Sequence, residues 1–271
     1  MKKIYLDYNI IVRLTNKNEP ELDDLISLVK SSAHIVVYSP AHIEEIAVST
    51  MRNNYPIEKT NEKLEFLSSL TNNIELLPFL RPDVRIIEEL GIYLCEENPA
   101  DCYRRVTDQY NGNDLAESNE KAFLVKALEE NQYNNNPNEM NNIAPEKVLL
   151  DQIYDMKIKE SFFMHLLGRR TKKQIYSLMN EGFAKIQTDF QALETLLSVI
   201  FNKLEVIRYY PEKEMLFRSR LHDVSHAIYA SYCDYFVTED LKLSKKTKAA
   251  YSYANINTNV IDLKKLKEIT F

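Results

Sequence analysis

Residues 222–243, HDVSHAIYASYCDYFVTEDLKL, carry the clearest indication of fold in this chain. Their pattern predicts a helix over residues 221–231, a turn, and a short β-branched and aromatic strand over 235–238. A helix advances about 1.5 Å per residue and a strand about 3.3 Å per residue. A strand of about five residues therefore leads the chain back over the whole length of this helix. Asp223 and Asp240 are therefore expected at one edge of a sheet, where α/β folds place their ligand sites.

The first part of the chain predicts a βαβ unit. Residues 3–6 (KIYL) and 34–39 (HIVVYS) are apolar runs typical of buried parallel strands, and residues 21–31 (ELDDLISLVKS) have helical periodicity. Strands joined in this way are parallel, with a right-handed crossover. The fold class expected is therefore α/β with a mainly parallel central sheet.

Acidic side chains follow these strands at their carboxyl ends. Asp7 follows the first strand, and Glu44 and Glu45 follow the second. Asp223 and Asp240 flank the later helix and strand. Carboxylates that converge in this way can hold one or two hard divalent cations at about 2.0–2.1 Å, with water in the other positions. Taken alone, Asp7 is also explained as a turn or helix-cap residue, and the glutamates as a solvated helix face.

A helical insertion is predicted to divide this α/β domain. Residues 1–80 and 205–271 form a discontinuous domain in this interpretation, and residues 81–204 form the insertion. The helices expected in it lie near residues 83–97, 114–130, 146–166 and 171–202. The further strands expected on either side of it lie at residues 74–79, 204–210 and 258–263. Residues 131–142, NQYNNNPNEMNN, are too polar to pack and are expected to form a loop.

The composition indicates a globular chain and excludes several classes of site. With 271 residues, 45% of them hydrophobic, the chain can bury a sizeable core. Its three cysteines form no CxxC pair and leave one over, which argues against disulfides and structural zinc and favours the reducing cytoplasm. Its four scattered glycines exclude P-loop and Rossmann phosphate cradles, and GxSxG and HExxH motifs are absent. We expect neither a signal peptide nor a membrane span, because no apolar run approaches about 18 residues.

Local basic segments would have to attract a polyanion, because the chain as a whole has a formal net charge of -6. One cluster surrounds Gly168 and another follows Asp240. The candidate nucleic-acid-binding residues are Arg169, Arg170, Lys172, Lys173, Lys242, Lys245 and Lys246. Such clusters are also common as solvated helix ends, and a nearby acidic nuclease site would favour phosphate binding.

Several short motifs resemble those of the PIN-domain nucleases. CDYFVTEDLKL (233–243) resembles the family block "aDylvTgDkdl", and YLDYNI (5–10) resembles its first strand with an aspartate. SPAHIEEI (39–46) is similar to the family's serine-to-glutamate element. The resemblance covers the two outer pieces of the chain and not the insertion. Because free-standing PIN toxins are much shorter, a toxin role and a particular RNA target are not carried over.

The resemblance implies a three-layer α/β/α sandwich and a metal-dependent endoribonuclease that uses Mg2+ or Mn2+. The acidic quartet that it implies, as both catalytic and metal-binding residues, is Asp7, Glu45, Asp223 and Asp240. The supporting polar residues are Asn9, Thr238 and Glu44. The family spacing from Ser39 selects Glu45, whereas a helical wheel places Glu44 nearer the apolar stripe. The quartet therefore uses Glu45, with Glu44 as the competing assignment.

Three other functions compete with this one. A PIN-like subunit could bind nucleic acid or protein without catalysis, and a nuclease of this type could act on DNA instead of RNA. The pair His222-Asp223 with His226 is also found in HD-type phosphohydrolases, but that fold is helical throughout and no βαβ unit is expected in it. Nucleic acid, with RNA favoured, is the expected partner. A regulatory protein or a second copy of the chain stays open, and no membrane is expected.

Overall fold

The structure is a computed structural model, and it describes residues 2–15, 34–53, 56–79, 86–89, 91–109, 135–167, 170–180, 186–212 and 217–270. The chain forms two compact units, each described by itself. Unit 1 comprises Met1–Asn111, Tyr229–Glu239 and Thr258–Phe271, and unit 2 comprises Gly112–Ile228 and Asp240–Asn257.

The helices and strands of the described residues are numbered here in chain order. They are β1 (Lys2–Leu6), α1 (Tyr8–Thr15), β2 (His34–Val37), α2 (Pro40–Asn53), α3 (Ile57–Thr71), β3 (Ile74–Leu77), β4 (Ile86–Glu89), β5 (Ile92–Glu96), α4 (Pro99–Gln109), α5 (Pro137–Asn141), α6 (Gln152–Leu167), α7 (Lys172–Asn180), α8 (Phe190–Val206), α9 (Phe217–Ala230), β6 (Tyr235–Val237), α10 (Leu241–Ala254), β7 (Asn259–Ile261) and α11 (Leu263–Thr270).

A four-stranded parallel sheet forms the centre of unit 1, in the order β2-β1-β6-β7. Along β1, Ile4, Tyr5 and Leu6 point to alternate faces of the sheet, and all three are buried. Parallel sheets have both faces covered in this way, which is why their strands read as continuous apolar runs. The expected α/β class with a mainly parallel sheet is therefore confirmed.

The segment 222–243 folds as a helix, a turn and a strand, as predicted. At the turn, the N–H of Asp234 donates to the carbonyl of Lys3 at 3.0 Å, and the carboxylate of Asp234 accepts the N–H of Lys3 at 2.7 Å. These bonds fix the start of β6 beside the start of β1. Helix α9 begins at Phe217 rather than near residue 221, so Asp223 lies in its second turn.

A second sheet in unit 1 is antiparallel, in the order β3-β5-β4. The helix predicted over residues 83–97 is therefore wrong, because β4 and β5 form a hairpin in which Glu89 lies opposite Ile92. Gly91 has a φ of 87°. This left-handed conformation is the one that two-residue hairpin turns require, and glycine adopts it without steric cost.

Unit 2 is helical within its described residues, and α8 packs against α6 and α10. The strand predicted at residues 204–210 is wrong, because α8 continues to Val206 and a turn follows. In that turn Arg208 and Tyr210 have φ values of 61° and 47°, which a strand cannot contain. The last turn of α8 buries Leu204 and Val206, so tertiary packing overrides the β preference of this segment.

The polar loop expected at residues 131–142 is replaced in its second half by the short helix α5. The side chain of Asn136 accepts the N–H of Asn138 at 3.0 Å and so caps this helix. The side chain of Asn141 accepts the N–H of Tyr210 at 2.6 Å. Asparagines that looked too polar to pack therefore anchor α5 within unit 2.

The bounds of unit 2 differ from those predicted for the insertion. Unit 2 begins at Gly112, after the second sheet, and it also contains α10 and most of α9. The helices predicted at residues 21–31 and 114–130 lie outside the described residues. Among the helices that the structure describes, none combines the length and apolar character needed to cross a membrane.

Candidate functional site

Asp7 lies at the carboxyl end of the central strand β1 and is only 2% exposed. Its N–H donates to the carbonyl of Val237 at 2.9 Å, and its own carbonyl accepts the N–H of Ile10, so it joins β1 to α1. Its Oδ2 accepts the hydroxyl of Thr238, also 2% exposed, at 2.9 Å. Two neighbouring strands thus bring a carboxylate and a hydroxyl together at one edge, although 231 positions separate the two residues.

Helix α2 carries Glu44 and Glu45 in its second turn, and both side chains are half-buried. An N–H at the first position of a helix has no partner within the helix, so proline, which lacks this group, suits that position. Pro40 is the first residue of α2. Glu45 Oε2 is shielded from solvent, and the Glu45 charge acts on Lys63. Asn9 is exposed in the first turn of α1.

Lys63 of α3 is a functional candidate that the sequence did not indicate. Its ammonium donates to the hydroxyl of Tyr8 at 3.2 Å and lies 5.6 Å from the centroid of that ring. Burial lowers the pKa of Lys63, and the charge of Glu45 opposes this shift. Tyr8 directly follows Asp7, so a buried cation lies within the same part of unit 1 as the acids. A lysine in the buried stripe of a helix, next to Leu64, is the signal that could have identified it.

His42 holds the end of β1 against the start of α2. It is fully buried, its Nδ1 accepts the N–H of Ser39 at 3.1 Å, and its Nε2 lies 2.8 Å from the carbonyl oxygen of Leu6. Since Nδ1 is the acceptor, Nε2 carries the proton and donates to Leu6. The hydroxyl groups of Ser39 and Tyr5 lie 2.6 Å apart. These bonds fix the backbone on which Asp7 and the first turns of α2 depend.

The other two members of the predicted quartet belong to unit 2. Asp223 is half-buried on α9. Asp240 is exposed and caps α10, because its Oδ1 accepts the N–H of Leu243 at 2.9 Å.

No protein-family model, curated protein or solved structure matches this chain. The geometry of the site and the sequence pattern are therefore the basis for assigning a function.

The candidate nucleic-acid-binding residues of unit 2 differ in how accessible they are. Lys172 and Lys173 are exposed at the start of α7, and Lys245 is half-buried. Arg170 forms a salt bridge with Asp189, the N-cap of α8. Arg169 lies outside the described residues.

Lys242 and Lys246 form ion pairs within unit 2. Lys246 is 1% exposed, and its ammonium lies 2.8 Å from Glu205 and 2.9 Å from Glu212. Burial favours the neutral amine, but the two carboxylates outweigh burial and raise the pKa of Lys246. Lys242 donates to the carbonyl of Pro211 at 2.7 Å and to Glu212 at 3.2 Å. Neither ammonium is as accessible to a phosphate as those of Lys172 and Lys173.

A buried charge cluster lies elsewhere in unit 1. Ligand-type atoms of Glu75, Glu97 and Cys102 come within 4.8 Å of one another, the single such group of three among the described residues. Burial and the nearby Glu97 raise the pKa of Glu75 to about 8. Burial also raises the pKa of the Cys102 thiol, which donates to Glu75 at 3.1 Å. The guanidinium of Arg105 lies 3.1 Å from Glu75 and 2.9 Å from Glu97.

This cluster does not suit a metal ion. A metal would need a thiolate and two ionised carboxylates, whereas the raised pKa values of Glu75 and Cys102 favour their protonated forms. Arg105 already supplies a positive charge between the carboxylates. With one proton shared by the two glutamates, the cluster is electrically neutral, which is the condition for burying such groups.

Proposed function

We propose that the chain is a divalent-metal-dependent nuclease with a PIN-like three-layer fold, and that it cleaves RNA as an endoribonuclease. The observation that carries the proposal is the buried carboxylate of Asp7 at the end of the central parallel strand, held by the hydroxyl of Thr238 from the adjacent strand. Open parallel sheets place their ligand sites at this edge. The burial of both faces of the sheet supports the three-layer arrangement.

The donor atoms suit Mg2+ or Mn2+. Asp7 and Glu45 offer carboxylate oxygens, the hard ligands that these cations prefer. The hydroxyl of Thr238 orients the carboxylate of Asp7, as outer hydrogen bonds orient the ligands of metal sites. When bound, such a cation makes a coordinated water more acidic and stabilises the charge that develops on the phosphate.

Asp223 and Asp240 complete the proposed quartet. Their part in it rests on the sequence pattern and on the PIN resemblance alone. Lys172 and Lys173 are the accessible basic residues that we assign to the phosphates of the substrate.

Lys63 has a proposed role in proton transfer. Burial lowers its pKa, so its ammonium gives up a proton more readily near neutral pH than an exposed lysine does. Its contact with Tyr8 keeps it beside the residue that follows Asp7. We assign it the protonation of the departing oxygen after the phosphodiester bond breaks.

A second candidate function is a nucleic-acid- or protein-binding subunit without catalysis. The charge of Glu45 already acts on Lys63, and Asp240 already caps a helix. In this alternative, internal partners neutralise the acids and no cation is needed. Dependence of cleavage on a metal separates the two functions.

The test is cleavage of RNA, single-stranded DNA and duplex DNA with Mg2+, with Mn2+ or with chelator. We expect RNA cleavage that the chelator abolishes. Asp7→Asn should remove cleavage by at least roughly a hundredfold while the protein stays folded, because it removes a ligand charge from a site of like charges. Glu239→Gln, an exposed acid that follows Thr238, is the matched control and should retain activity. Full activity of Asp7→Asn would refute the proposed site.

Three further variants separate the roles within unit 1. Thr238→Val keeps the shape of the side chain and removes the hydroxyl, so metal affinity, measured by calorimetry, should fall by about 10- to 100-fold. Glu45→Gln should lose cleavage and Glu44→Gln should keep it. A loss confined to Glu44→Gln would show that the assignment is wrong by one residue.

A further inference from the structure

Helix α6 of unit 2 has apolar side chains on two opposite faces. Ile158, Phe162 and Leu166 are all buried on one face, and α6 packs against α8. A surface helix normally presents polar residues on the opposite side. At about 100° per residue, Ile153 lies about 180° from Phe162, and its side chain is 60% exposed.

The exposed face of α6 is an apolar stripe with one ion pair at its centre. Ile153, Met156 and Met164 are each about 60% exposed. Between them, the ammonium of Lys157 lies 3.1 Å from the carboxylate of Glu160, and both groups are more than half exposed. We call these five residues the α6 face. Monomeric proteins seldom expose apolar side chains in a row of this kind without a binding function.

Tyr176 of α7 extends this face on one side. Its ring lies 5.3 Å from that of Phe163, between centroids, and it is 53% exposed. Aromatic side chains are enriched at interfaces because they bury a large area at little entropic cost. The apolar surface is therefore wider than a single helix.

The α6 face matches itself under a two-fold axis. If two copies of α6 pack antiparallel about a point midway between Lys157 and Glu160, each Lys157 lies opposite the Glu160 of the second copy. The same axis places Ile153 opposite the second copy's Met164. Ile153 and Met164 are 11 residues, or about 16 Å, apart, so both apolar layers lie near the central charges. No one-residue shift of the helices keeps all these pairs together.

We propose that the α6 face is the dimer interface between two copies of this chain, packed antiparallel. Two-fold dimers are the commonest oligomers, and they require a surface that is complementary to itself. The central lysine and glutamate fix the register and orientation, as polar residues do at core positions of coiled coils. The face has no net charge, since Lys157 balances Glu160, so it has no electrostatic preference for an anionic membrane or a polyanion.

Sedimentation velocity from about 1 µM to about 500 µM tests the proposal, because small interfaces give weak and transient association. The full chain should change from monomer to dimer over this range. Ile153→Glu with Met164→Glu should stay monomeric at every concentration, with an unchanged far-ultraviolet circular dichroism spectrum. Ile57→Glu, another exposed isoleucine at 52%, is the matched control and should dimerise as the natural chain does.

A charge exchange tests the register. Lys157→Glu alone places like charges opposite each other, and Glu160→Lys alone does the same with the opposite sign, so each variant should dimerise at least roughly tenfold more weakly. An equal mixture of the two variants should form a heterodimer, because every opposed pair then has unlike charges. The ion pair within one helix is absent from both variants, so only pairing between copies can restore association.

Four results would overturn the proposal. They are a monomeric chain at every concentration, a dimer that survives Ile153→Glu with Met164→Glu, single charge variants that dimerise normally, and a mixture that stays monomeric. A chain that is monomeric at every concentration would mean that the α6 face does not bind a second copy. A dimer that survives Ile153→Glu with Met164→Glu would mean that the chain dimerises through another surface.

Discussion

Glu75 should make the stability of the chain fall as pH rises above neutrality. Its pKa in the folded chain is about 8, because burial and Glu97 disfavour the charged form. A carboxyl group with a raised pKa stabilises the folded state fully below its unfolded pKa, and that contribution is lost as pH rises to the folded value. The loss ends near the folded pKa, so at about 1.4 kcal/mol per pH unit the chain loses about 3 kcal/mol of stability between pH 6 and pH 9. Burial also raises the pKa of the Cys102 thiol, which adds less than about 1 kcal/mol to this loss, because a thiol in the unfolded chain ionises only near about pH 8.5.

Glu75→Gln isolates this effect. Glutamine has the shape of the protonated acid and can still accept from Arg105 and donate to Glu97. The variant should exceed the natural chain by about 2 kcal/mol at pH 6 and by about 5 kcal/mol at pH 9, because the unfolded glutamate is already ionised at pH 6. Glu96→Gln, an exposed neighbour on β5, should leave the pH dependence unchanged.

Urea unfolding followed by circular dichroism at pH 6, 7.5 and 9 measures these differences. A maleimide pulse, always applied at the same pH, labels Cys102 in unfolded chains only, because this thiol is buried in the folded chain. The labelled fraction therefore measures the unfolding of unit 1 separately. If Glu75→Gln and the natural chain lose stability in parallel from pH 6 to pH 9, the buried proton does not exist and the neutral cluster is refuted.

Two further substitutions test the internal contacts. Lys246→Met should destabilise the chain by about 3–5 kcal/mol in urea, because it leaves Glu205 buried without its cation; a loss below about 1 kcal/mol, as for a surface ion pair, would contradict this. His42→Ala should cost about 2–4 kcal/mol by the same measurement, since it removes bonds to both β1 and α2, and an unchanged midpoint would show that these bonds do not hold the two elements together.

The parallel sheet could be predicted because strands buried on both faces are continuous apolar runs, and residues 3–6 and 235–238 have that pattern. The hairpin of β4 and β5 was missed because short apolar runs fit a helix as well as a strand. The turn at Gly91 was the one local signal for the hairpin. The strand predicted at residues 204–210 was wrong for a different reason. The β-branched residues of this segment favour a strand, but tertiary packing extends helix α8 through Val206.

One contact of the candidate site, between Asp7 and Thr238, was predictable because strand order alone fixes it. Asp7 and Thr238 each follow a strand of the same sheet, so the pattern places them at one edge. Lys63 was not predictable, because its contact with Tyr8 depends on how α3 packs across 55 residues of sequence. The burial of Lys246 likewise depends on Glu205, which lies 41 residues earlier. A basic run in a sequence does not reveal which of its members have internal partners.

The hydrogen bond between Asp7 and Thr238 also has a consequence for biosynthesis. Strand β1 emerges from the ribosome before its neighbour β6, which follows 231 residues later. At about 5–20 residues per second, this interval lasts roughly 10 to 50 seconds. During that time one edge of β1 has no strand beside it, so the nascent chain is exposed to aggregation at this edge. The same delay keeps the proposed nuclease centre unassembled while the chain is still attached to the RNA-rich machinery that makes it.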